Sequence, residues 1–210
     1  MSSQTKNILL TFLYFGAWAL IHTLTASLSF KQFIRRTTGK FSAFYTLFYI
    51  LFSLTTLGLF FLLVPEIKGL FYQIKAPFSY LLRFVQFLAA IFLFLSAKQF
   101  DIGEFLGFKK GLRFFSKEAP ADPTLVTTGL YGFVRHPLYF FAIIFMWANP
   151  IITYRYLTIV SAFTLYFLIG SYFEEKKLVA QFGESYLNYR KEVPAFLPLK
   201  WLKTLVPSGR

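Results

Sequence analysis

Four long apolar runs dominate this chain: Asn7 to Phe30, Phe41 to Val64, Phe78 to Ala97, and Pro137 to Phe173. About 20 apolar residues at helical rise cross the hydrocarbon core of a bilayer, so the first three runs each read as one span. The fourth is too long for one crossing. Asn149-Pro150, followed by Thr153 and Arg155, places polar groups and a helix breaker at its middle, which predicts a helical hairpin. The expected fold is therefore all-α and polytopic, with about five transmembrane helices, the fourth being short. Composition agrees, since 56% hydrophobic and 15% charged residues are too apolar a mixture for a soluble domain of 210 residues.

The formal charge of +13 raises the question of nucleic acid, and the placement of the cations answers it. Lys31, Arg35, Arg36 and Lys40 follow the first run, and Lys98, Lys109, Lys110, Arg113, Lys117 and Arg135 follow the third. The tail carries seven more, and the segments on the opposite side hold only Lys6, Lys68, Lys75 and Arg155. Loops rich in Lys and Arg stay cytoplasmic, so the N-terminus is expected outside and the C-terminus in the cytoplasm, with a bacterial inner membrane the expected location. The charge is then explained by topology and anionic lipid, and no nucleic-acid partner is expected. The first run ends in basic residues without a small-x-small cleavage pattern, which predicts a retained helix rather than a signal peptide. The chain has no cysteine, so disulfides, thiolate metal sites and a cysteine nucleophile are excluded, and no metal site is expected.

Chemistry concentrates where the apolar pattern is interrupted. Between Lys98 and Arg135, Phe100, Phe105, Phe108, Phe114 and Phe115 alternate with cations, the pattern of a segment lying in the membrane interface, either as an anchor or as a lid over a site. Next, Gly129-Leu130-Tyr131-Gly132-Phe133-Val134-Arg135-His136-Pro137-Leu138-Tyr139 leads into the fourth span. Pro137 suits a first helical position, and the free N–H groups after it favour an anion. Arg135 can clamp a carboxylate through two parallel hydrogen bonds, with His136 beside it; a snorkelling Arg and a capping His are the structural alternative.

The fifth span ends in Glu174-Glu175-Lys176-Lys177. Adjacent carboxylates at the inner end of an apolar helix are functional candidates; alternatively they pair with Arg135, Lys177 or Arg190 and staple the hairpin to the tail. The segment from Gln181 to Arg190, closed by Pro194 and Pro198, reads as a short amphipathic helix against the membrane face. His22, inside the first apolar run, either acts on a substrate or only bonds a neighbouring helix.

These segments carry a family resemblance. Gly129-Leu130-Tyr131, Val134-Arg135-His136-Pro137-Leu138-Tyr139, Glu174 to Leu178, and Phe182 to Arg190 with Val193-Pro194 resemble membrane methyltransferases related to isoprenylcysteine carboxyl methyltransferase. His22 to Ser27, Phe44 to Tyr49, and Gln99 to Phe108 are similar to methanethiol S-methyltransferases and to a group associated with denitrification; Ile50 and Phe140-Phe141 depart from that pattern. The resemblance implies S-adenosylmethionine in a cytoplasm-facing pocket formed by Tyr131, Arg135, His136, Tyr139, Glu174 and Glu175. In that frame His22 and Glu174 are the catalytic candidates, residues 1–97 handle the acceptor and 98–210 the donor, within one domain. The expected acceptor is a small lipid-soluble thiol such as methanethiol. An isoprenylcysteine-type or lipid carboxylate, and a non-catalytic accessory role, are the alternatives. A prenyl acceptor predicts a long apolar groove open to lipid, and a small thiol predicts a short closed cavity near His22.

Overall fold

The structure is a computed structural model and describes residues 2–116 and 124–197. Lys117, assigned above to the interfacial segment, and Pro198, assigned to the tail, lie outside the described residues. Helix α1 (Ser3–Ala26) opens with the Ser2 hydroxyl accepting from Thr5 N, and it stops at Ser27, whose extended backbone ends one helix while its hydroxyl caps the next. That next helix, α2 (Leu28–Thr38), is amphipathic and carries Arg35 and Arg36 in its last turn, where cations complement the helix dipole. A 3-10 turn (Gly39–Phe44) leads into α3 (Tyr45–Leu63). Then follow β1 (Leu70–Gln73), α4 (Phe78–Lys98), α5 (Ile102–Phe105), α6 (Phe108–Ser116), α7 (Leu130–Phe133), α8 (Pro137–Trp147), β2 (Ile151–Thr153), α9 (Tyr154–Phe182) and α10 (Glu184–Glu192). β1 and β2 pair as a two-stranded sheet, a small addition to an otherwise helical chain.

Among the described residues, four helical stretches are long and apolar enough to cross a membrane: α1, the stretch from α2 through α3, α4, and α9. The expected fourth crossing is α8, which has 11 residues. At helical rise it is about 16 Å long, short of a core of roughly 30 Å. The break expected at Asn149-Pro150 is present, with α8 ending at Trp147 and α9 starting at Tyr154. The medium is evident from what is exposed: Leu13, Leu62, Phe84, Phe87 and Leu165 are each more than half accessible, an arrangement that water would penalise and hydrocarbon favours.

The chain divides into two compact units. Among the described residues the first contains 2–71, 100–116 and 152–162, and the second 72–99, 124–151 and 163–197. In the first, Phe15 packs edge-on against buried Phe60, joining α1 to α3. The side-chain amides of Gln4 and Asn7 donate to the carbonyls of Lys68 and Glu66, tying the start of α1 to the loop after α3. The amphipathic α6 sets Phe114 against Phe41 and Phe44.

In the second unit α4 packs on α8. Ala89, Phe92 and Ser96 share one face of α4, small residues admit the neighbouring helix, and Phe92 stacks on Phe141 at 4.9 Å. Gly129 has φ +59°, and a Cβ there would fall 2.7 Å from the Gln99 amide. That amide is engaged, its nitrogen donating to Thr128 O at 2.9 Å and its oxygen accepting from Leu130 N at 3.1 Å. Gly129→Ala is therefore expected to cost about 1 to 3 kcal/mol, combining backbone strain with displacement of Gln99. Thermal unfolding of the detergent-solubilised variant measures it, and an unchanged melting temperature would rule out this role for Gly129.

Candidate active site

Helix α9 has 29 residues. About 20 residues suffice to cross the core, so its last turns emerge and bring Glu174 and Glu175 to the membrane exit. Here α7, the start of α8, the end of α9 and α10 with its following segment meet within the second unit. Tyr186, Tyr189 and Val193 form a buried cluster against Leu125, Leu178, Val179 and Phe182, which seats α10 on the end of α9. The Tyr189 hydroxyl donates to Tyr131 O at 2.5 Å, fastening α10 to α7. Burial pushes the Tyr186 phenol up to about 12 and raises those of Tyr131 and Tyr189 as well, so all three remain protonated donors at neutral pH.

Glu175 is the hub. Arg135 donates to its Oε1 from Nε at 2.9 Å and from Nη2 at 2.6 Å, and both side chains are nearly buried. His136 Nε2 lies 3.1 Å from the same oxygen, and Arg190 Nε stands 3.6 Å from Oε2. Through Nη1, Arg135 also donates to the carbonyls of Arg190 and Val193. The backbone follows the same path, Arg135 N donating to Pro194 O and His136 N to Ala195 O. Arg135, expected to clamp a carboxylate, thus clamps that of Glu175. The staple between hairpin and tail is built on Glu175 rather than Glu174.

Glu174 differs. Its Oε2 is buried without a hydrogen-bond partner, and His136 Nδ1 stands 3.7 Å away. Its charge also acts on the hydroxyls of Tyr131 and Tyr139, and the Tyr139 hydroxyl hydrogen-bonds the carboxylate. The side chain is 45% exposed, so the carboxylate meets His136 and the Tyr139 hydroxyl on one side and is open to a ligand on the other. Beside it, rings form a column: Phe196 stacks on His136, His136 on Tyr139 and Tyr139 on Phe167, with interplanar angles of 26°, 10° and 9°. Helix α8 begins with Pro137 at its first position and has no side-chain cap, which leaves its first-turn N–H groups for an acceptor. No group of three or more His, Asp or Glu side chains arranged to hold a metal ion occurs among the described residues.

The structure thus brings together Tyr131, Arg135, His136, Tyr139, Glu174 and Glu175. His22 belongs to the first unit, where Tyr49 OH lies 2.8 Å from its Nε2, Ser53 Oγ 3.0 Å from its Nδ1, and Trp18 stacks on its ring at 5.1 Å. Sequence reasoning did not identify Tyr49 and Ser53 as partners of His22, nor Phe167 and Phe196 as members of the ring column. Tyr49 and Ser53 lie one helical turn apart on α3, a spacing that marks a common face once His22 is known to oppose it.

A family model described as phospholipid methyltransferase matches residues 84–185. The methanethiol S-methyltransferase of Crocosphaera subtropica is 32% identical over 190 residues, covering 87% of this chain and 71% of its own. Methanethiol S-methyltransferase 2 of Bradyrhizobium diazoefficiens is 31% identical over 193 residues, covering 92% and 74%. The protein-S-isoprenylcysteine O-methyltransferase of Schizosaccharomyces pombe is 40% identical over 84 residues, covering 37% of this chain and 34% of its own. No solved structure matches.

Glu175→Gln leaves the guanidinium of Arg135 nearly buried without its counter-charge, and breaking such a pair costs about 3 to 5 kcal/mol. Chemical denaturation in detergent is expected to show a loss of that order. A loss below about 1 kcal/mol would remove Glu175 from its position as hub.

Proposed function

Because the chain belongs to the methanethiol S-methyltransferase family of membrane methyltransferases, we propose that it methylates a small lipid-soluble thiol, such as methanethiol, using S-adenosylmethionine at the cytoplasmic membrane face. The observation that carries this reading is the half-exposed carboxylate of Glu174 beside the ring column and the uncapped start of α8. These groups fit the donor's chemistry: a carboxylate to receive its ammonium or ribose hydroxyls, helix N–H groups with His136 to receive its carboxylate, and Tyr131 and Tyr139 to cover its adenine. The bound donor supplies an electrophilic methyl group on a sulfonium.

The protein's own contribution is positioning and proton management. Arg135 and Glu175 hold the site's frame, while Glu174 and His136 hold the donor. In the N-terminal helices, His22 with Tyr49 orients the acceptor and takes up its thiol proton, because the thiolate is the reacting form. The distribution of Lys and Arg supports a cytoplasmic face with the N-terminus outside, and the bacterial sources of both methanethiol S-methyltransferases support a bacterial inner membrane.

Calorimetric titration of the detergent-solubilised protein with S-adenosylmethionine, followed by assays offering methanethiol beside a prenylated cysteine, tests the reading. Saturable binding with transfer to the thiol is expected. Transfer only to the prenylated cysteine would assign carboxyl chemistry instead, and a folded protein that neither binds nor transfers would have an accessory role. Glu174→Gln should weaken donor binding by roughly 1.5 to 3 kcal/mol, the worth of a hydrogen bond to a charged group, and leave the melting temperature unchanged. Unchanged affinity would place the donor elsewhere.

A further inference from the structure

A cavity of about 430 Å³ lies within the first unit, walled by α2, the 3-10 turn and α3, with Thr25 of α1 at its edge. A methanethiol molecule has two heavy atoms, whereas this volume admits more than about ten water-sized groups at roughly 30 Å³ each. The lining is mainly phenylalanine with Ile34, its polar side chains are Thr25, Thr38, Tyr45 and Tyr49, and it contains no Asp, Glu, Lys, Arg or His. Phe41 and Phe48 on its wall are 68% and 62% exposed, so the cavity opens on the hydrocarbon around the spans rather than closing around a small guest.

Its polar features are specific. The Tyr45 hydroxyl is spent on Thr25 O at 2.7 Å. Tyr49 lines the same cavity, and its hydroxyl reaches His22. Charge selects the ligand further: α2 turns Phe30 and Ile34 to the cavity while Lys31, Arg35 and Arg36 are exposed, so a charged tail inside would meet no counter-ion, whereas an uncharged chain needs none.

We infer that this cavity holds the apolar tail of the methyl acceptor, and that the preferred acceptor is an alkyl thiol of several carbons whose sulfur is served by Tyr49 and His22. The inference rests on the thiol-methylation reading and narrows its substrate class. The thiol proton passes through the Tyr49 hydroxyl to the His22 ring. The thiolate lone pair then forms the new carbon–sulfur bond, and the bond from the methyl carbon to the donor's sulfonium breaks with its electrons remaining on the donor sulfur. The products are an alkyl methyl thioether and a neutral donor thioether.

The experiment compares kcat/KM for methanethiol, butanethiol and octanethiol in the wild type and in Ile34→Trp, which fills the cavity. Burial of each methylene is expected to raise kcat/KM about three- to fourfold in the wild type until the cavity is full. The octanethiol-to-methanethiol ratio should fall at least about tenfold in the variant; membrane partitioning of the thiols is common to both proteins and cancels. Phe48→Ala, which widens the wall, should move the preference toward longer chains and serves if the tryptophan variant does not fold. Calorimetric titration with octyl methyl sulfide, without donor, should show saturable binding that Ile34→Trp abolishes. Equal chain-length ratios in wild type and variants, with methanethiol turned over, would overturn the inference alone. Donor binding without methylation of any thiol would overturn the reading beneath it, while the sulfide titration still tests whether the cavity takes an alkyl chain.

Discussion

The second unit depends on one carboxylate. Glu175 stands where α9 leaves the membrane and gathers Arg135 and His136 from the entry to α8 and Arg190 from α10. The cost of withdrawing the Arg135–Glu175 pair from water is offset because the guanidinium forks onto one oxygen and also donates to the carbonyls of Arg190 and Val193. With that hub in place the start of α8, the end of α9 and the segment after α10 are held at fixed geometry, and the ring column of Phe196, His136, Tyr139 and Phe167 follows.

Two adjacent glutamates consequently have different tasks. Neighbouring residues on a helix point about 100° apart. When Glu175 faces the arginines, Glu174 is turned toward His136 and the tyrosines, and its side chain stays half-exposed. The carboxylate that holds the frame and the half-exposed one of the proposed donor site are thus one residue step apart on α9. The arrangement suits a reaction in which the protein aligns two reactants and forms no covalent bond to either.

The first unit treats polarity differently. His22, Tyr49 and Ser53 satisfy one another inside otherwise apolar spans, where an unmet polar group would be costly. Around them phenylalanines leave a cavity open to hydrocarbon, in place of the short closed cavity expected for the smallest thiols. Phe richness by itself does not separate these outcomes, because the same side chains either fill or line a space according to how α2 is set against α3.

Much was legible in the sequence. Length and apolarity of the runs dictated spanning helices, since backbone groups in hydrocarbon must be satisfied within the segment. The break at Asn149-Pro150 and the entry at Pro137 followed from proline's missing N–H and fixed φ, and the gathering of chemistry around residues 129–139 and 174–190 followed from charges standing where apolar runs stop. Tertiary structure alone decided that Glu175 carries the frame while Glu174 stays open, that main-chain carbonyls complete the Arg135 site, and that His22 meets Tyr49. Carbonyl acceptors look the same in every residue, and the direction of a side chain around a helix is set by what packs against it.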